Sequence, residues 1–193
     1  MKTETMMITT QATFSDDGKK RYILRKEWDI NKPSIAVIML VPSDAYGVSA
    51  DTTSMLVMNN VWRLGYGSVT ILNLFSTIND FGLKNGSEDD EENINAIIFE
   101  VGKVDTIVYA PGVGKAQNKA FQQRQKQVLD ALRPYEDKLH CLCNENGEAR
   151  LQHPLSPAVR AWYFSSLSIS EFESKESEQP QEKQPTKKHR KKK

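Results

Sequence analysis

Apolar residues in this chain come in short runs separated by turn-forming stretches. Seven in succession, Ile35 to Val41, run straight into Pro42-Ser43-Asp44. A short β-branched run bounded by a turn signal predicts a strand buried on both faces. Pro42 disfavours the helical region for Val41, which argues against a helix there. Ser68–Phe75 predicts a second buried strand, interrupted by a single amide, Asn73. Asp105–Ala110 and Lys138–Cys143 predict a third and a fourth. Before them, Ala12–Trp28 predicts a hairpin around the turn SDDGKK, with Tyr22, Leu24 and Lys26 on one face and Ile23 and Arg25 on the other.

Helical spacing fills the intervals. Thr52–Leu64 carries Met55, Leu56, Met58 and Trp62 as an expected core-facing stripe, with Asp51 as N-cap and Gly65 as the stop. Ile94, Ile97, Ile98 and Val101 mark a second helix. Phe121, Val128, Leu129 and Leu132 mark the inner face of a third, from about Gln117 to Arg133. A last short helix is expected over Ala158–Leu167. The order hairpin, then β-α-β-α-β-α-β, predicts a three-layer α/β/α sandwich with a four-stranded, mainly parallel sheet plus an N-terminal β-hairpin.

Composition limits this fold to residues 1–170, with residues 1–11 loosely held. Residues 171–193, EFESKESEQPQEKQPTKKHRKKK, contain too few apolar side chains to offset the entropy of ordering and are expected to be disordered. That segment holds eight Lys or Arg and five Glu, which leaves 18 basic and 20 acidic residues in 1–170, a net charge of −2. A general affinity for phosphate backbones would therefore have to come from Lys187–Lys193 or a local patch. No run has transmembrane length and no signal-peptide pattern opens the chain, so no membrane partner is expected. Only two cysteines occur, Cys141 and Cys143, one residue apart on a predicted strand, an arrangement that suits a reducing cytoplasm.

Chemistry in open α/β sheets sits outside the carboxyl ends of the parallel strands. There the sequence offers Pro42, Ser43, Asp44 and Asp51 in the first loop, Asn73 and Phe75 at the second strand end, Gly112, Gly114 and Lys115 after the third, and His153 after the fourth. PGVGK matches neither a phosphate-binding P-loop nor a dinucleotide fingerprint, yet a glycine loop before a helix can present backbone N–H groups to a ligand. The alternative is a tight turn. His140, Cys141, Cys143 and His153 lack the spacing of a zinc knuckle, so no metal or other cofactor is expected.

These residues resemble a family. Arg21, Tyr22, Leu24 and Trp28, then Ile38 to Ala45 (IMLVPSDA), Asp51 with Thr53, Gly65-Tyr66-Gly67, and Asn73-Leu74-Phe75 are similar to the family called domain of unknown function 1643. Gly147 followed by His153-Pro154-Leu155 resembles its closing motif at one residue looser spacing. More distantly, the motif order resembles the uracil-DNA glycosylase superfamily. There a loop after the first strand directs water, an Asn ending the second strand reads the base, a Gly-containing loop follows the third, and H-P-S-P follows the fourth. That resemblance implies Asn73 as reader of a pyrimidine edge and His153 as stabiliser of charge on a departing base. Where the glycosylases carry Asp or Asn before proline, this chain has Val41, so any acid would have to be Asp44 or Asp51.

The expectation is a protein that binds a nucleobase-containing ligand, or an extruded base of a nucleic acid, with N-glycosidic hydrolysis as its reaction if it is an enzyme. The alternatives are a non-catalytic nucleic-acid-associated module using the basic tail, and an enzyme on a small anionic substrate clamped by PGVGK and Lys115. Oligomeric state is not legible.

Overall fold

In the computed structural model, residues 1–81, 91–113, 118–148 and 151–172 are described. Gly114 and Lys115, and residues 173–193 of the expected tail, lie outside them. Seven strands form one mixed sheet: β1 (Thr9–Phe14), β2 (Arg21–Glu27), β3 (Ser34–Met39), β4 (Ser68–Asn73), β5 (Thr106–Tyr109), β6 (Leu139–Cys143) and β7 (Tyr163–Ser166), in the order β1-β2-β4-β3-β5-β6-β7. The helices are α1 (Thr52–Arg63), α2 (Glu91–Val101) and α3 (Lys119–Leu132).

The four central strands β4-β3-β5-β6 are parallel as expected, but the sheet does not stop there. The hairpin is part of it, because β2 pairs antiparallel with β4, Leu24 opposite Ile71. At the other edge the expected helix over Ala158–Leu167 is absent. A 3-10 turn at Pro157–Val159 is followed by β7, which pairs antiparallel with β6. Trp162-Tyr163-Phe164 favours a pleated, half-buried surface over a helix, and β6 supplied an open edge to pair with.

Two cores flank the sheet. Ala36, Ile38, Leu72 and Ile107 meet α2 and α3 on one face, while Ile35, Val37, Val69, Ile71 and Val108 meet α1 on the other. Alternation along each strand sends neighbours to opposite cores, which gives the three layers.

Two details of side-chain placement differ from expectation. Helix α1 buries Ser54, Val57, Asn60 and Val61, and leaves Met55 and Trp62 48% and 59% exposed. The buried stripe 54-57-61 obeys the same helical period as 55-58-62, shifted by one position, and hydrophobicity alone favoured the wrong one. In the hairpin, the β1–β2 register passes from Thr13↔Ile23 to Phe14↔Arg21, leaving Tyr22 as the extra residue of a bulge. Tyr22 therefore leaves the face of Leu24, and its hydroxyl donates to Glu92 of α2 on the opposite side.

Candidate functional site

The connections from β3 and β5 part company at one edge of the sheet. The chain leaves β3 across the α1 face to reach β4, and leaves β4 across the other face to reach β5 on the far side of β3. A switch of this kind, here at the carboxyl ends of β3 and β5, is where open α/β sheets bind ligands. The antiparallel strands contribute here too. β2 begins where β4 ends, so Arg21, whose N–H donates to the carbonyl of Ser76 at 2.9 Å, stands at this edge. β7 likewise begins opposite Cys143, bringing Trp162 to the same rim.

Asp51 caps α1. Its carboxylate accepts from the Ser54 N–H and hydroxyl, both at 2.9 Å, from the Ser43 hydroxyl at 2.6 Å, and from the Thr53 N–H. Burial pushes its pKa up, yet these hydrogen bonds together outweigh burial and hold the carboxyl below the ordinary aspartate value. Asp51 is thus an ionised anchor with its acceptor capacity filled, and a weak base. Its charge is felt by two other groups, the Arg21 guanidinium and the His153 imidazole.

His153 sits against Gly112. Gly112 has φ +81, and a Cβ there would lie 2.9 Å from the His153 Cβ, so glycine is required both by the turn and by the imidazole's seat. The His153 Nδ1 accepts the Leu155 N–H at 3.2 Å, which leaves the proton of the neutral ring on Nε2. Burial lowers the pKa of His153, opposed by the Asp51 charge, so the ring is a neutral Nε2–H donor near pH 7.

Asn73 ends β4 beside Met39 of β3, on the α1 side with Val69 and Ile71. It is 1% exposed, and its Nδ2 has no hydrogen-bond partner. Trp162 Nε1, on the same face, is likewise buried without a partner. The Asn73 carbonyl is held separately: Asn93 of α2 donates Nδ2 to it at 3.0 Å and to the Leu74 carbonyl at 3.1 Å.

The first loop is strapped to the hairpin by two buried cations. Arg21 Nη1 donates to the carbonyls of Ser43 and Ala45, both at 2.9 Å, and Lys26 Nζ to those of Tyr46 and Gly47, both at 3.2 Å. Pro42 is buried and Asp44 exposed, acting on Arg21 only through its charge. Val41 packs against the α2/α3 core, and Phe75 is buried in it. Sequence reasoning thus reached Ser43, Asp51, Gly112 and His153, which the fold gathers, and Asn73 on the adjoining strand end. It missed Arg21 and Trp162. The signal for Arg21 was its place at the start of a strand antiparallel to β4.

Cys141 and Cys143 are buried and form no disulfide. Among the described residues, no three His, Cys, Asp or Glu side chains converge as a metal site. No helix among them is long and apolar enough to cross a membrane.

The fold is that of a mixed α/β protein whose strand order switches direction between β3 and β5. The chain belongs to the family described as "Protein of unknown function (DUF1643)", whose model matches residues 21–155. No curated protein and no solved structure matches, and the resemblance to the uracil-DNA glycosylase superfamily is not supported by these comparisons.

Proposed function

We propose that this protein binds a nucleobase-containing small molecule at the switch-point rim, with the Asn73 Nδ2–H donating to the base edge and the His153 Nε2–H donating to a second acceptor. The observation that carries this reading is Asn73 itself, a fully buried amide donor without a partner at a strand end. Leaving such a group unmade costs about 1–3 kcal/mol, a cost that folding alone gives no reason to keep and that a ligand acceptor would remove.

Binding is favoured over hydrolysis. The residue before Pro42 is Val41, an apolar side chain in the opposite core, and Asp51 is too well stabilised as the anion to take a proton from water efficiently. If the ligand is a nucleoside, N-glycosidic cleavage here would depend on His153 stabilising the departing base. Thermal-shift and calorimetric titration with nucleosides, nucleotides and sugar phosphates tests the reading. The expected result is stabilisation by base-containing compounds, lost in Asn73→Leu and His153→Ala. Equal stabilisation by a base-free sugar phosphate would point instead to an enzyme on small anions. Binding to nucleic acid that falls steeply with salt and vanishes when residues 171–193 are deleted would favour the basic-tail alternative.

A further inference from the structure

Several donors at this rim are not used by the described residues. Asn73 Nδ2 and Trp162 Nε1 are buried donors without partners, and His153 keeps its proton on Nε2. Asp51, the carboxylate among them, already accepts from four groups. Arg21 extends this pattern. It is 2% exposed, and only Nη1 is engaged, with two backbone carbonyls. Its Nε and Nη2 make no hydrogen bond among the described residues. Asp51 and Asp44 act on it through their fields and form no ion pair with it.

A guanidinium buried without a contacting counter-ion is costly, and its planar fork matches the oxygens of a phosphoryl group. We infer that Arg21 is the anion subsite of this rim and receives a phosphoryl group of the ligand through Nε and Nη2, which makes a nucleoside monophosphate the ligand class. This rests on the nucleobase reading for the rest of the ligand. Repulsion from Asp51 is reduced because its charge is spread over four donors, while Asp44 is exposed to water.

The test is calorimetric titration of the full chain with uridine, adenosine, their 5′-monophosphates, inorganic phosphate and acetate, for wild type, Arg21→Lys and Asn73→Leu. A lost charge-assisted fork is worth about tenfold or more in affinity. The monophosphates should therefore bind wild type at least about tenfold tighter than the nucleosides, and Arg21→Lys should erase that ratio. On wild type alone, phosphate should compete with the monophosphate, which keeps the test valid should Arg21→Lys fail to fold. Equal wild-type affinity for nucleoside and monophosphate overturns the anion subsite and leaves base recognition standing. Phosphate and monophosphate binding through Arg21, with no nucleoside binding and no effect of Asn73→Leu, overturns base recognition and leaves the subsite. Acetate matching phosphate would overturn the phosphoryl assignment in favour of a carboxylate.

Discussion

Replacing Asn73 by Leu should make the protein more stable. The Asn73 side chain is 1% exposed and its Nδ2 lacks a partner, so the folded state carries the desolvation cost of one amide donor, about 1–3 kcal/mol. Leucine has the same branched four-atom skeleton, removes that cost, and adds apolar contact beside Met39 and Ile71 in the α1-side core. In a protein of this size each kcal/mol shifts Tm by about 2–4 °C, so a rise of roughly 2–12 °C is expected. Urea unfolding should show a higher midpoint with an unchanged slope. Asn93 is the control. It is also a buried amide, but its Nδ2 donates to the carbonyls of Asn73 and Leu74. Asn93→Leu should destabilise by about 1–3 kcal/mol, chiefly by orphaning the Asn73 carbonyl, since Leu74 keeps a bond from Arg124 Nε at 2.7 Å. Opposite signs for two neighbouring amides would mark one as structural and the other as held for a ligand. A loss of more than about 1 kcal/mol in Asn73→Leu would show that this amide serves the fold, and the reasoning would fail.

Other outcomes follow from the same geometry. Gly112→Ala should destabilise by about 1–2 kcal/mol from the left-handed backbone alone and further from the collision with His153, with a weakened ligand response in thermal shift. Asp51→Ala should cost about 0.5–2 kcal/mol near pH 7 for the lost cap. Because the folded pKa of Asp51 lies below 3.8, the stability it supplies is present above that value and lost as pH falls through the folded pKa, so the gap between wild type and variant should close in acid. The folded pKa of His153 is likewise depressed, so its contribution is present above 6.5 and lost as pH falls towards the folded pKa. His153→Asn, whose Oδ1 can still accept the Leu155 N–H, should flatten this part of the stability–pH profile in chemical denaturation.

The parallel strands and their order of helices were legible because each buried strand is a short apolar run ended by a turn residue, as at Met39 to Pro42. The edges were not. Tyr163–Ser166 reads as readily as a helix end as a strand, and its state was decided by the open edge of β6. The face of α1 was misread because Met55 and Trp62 are more hydrophobic than Ser54 and Asn60, which are buried instead. Asn73 and His153 stood out because they fall at strand ends where a polar residue needs a reason. Arg21 was hidden because its position depends on a pairing, β2 against β4, that no local pattern announces.

The central claim is that the rim's unpartnered donors are kept for a nucleotide. Isothermal titration of wild type and Asn73→Leu with a nucleoside 5′-monophosphate tests it most directly. The account predicts saturable one-site binding to wild type and its loss in an Asn73→Leu protein of higher Tm. Undiminished binding by Asn73→Leu, or no binding of any nucleoside or nucleotide by wild type, would contradict it.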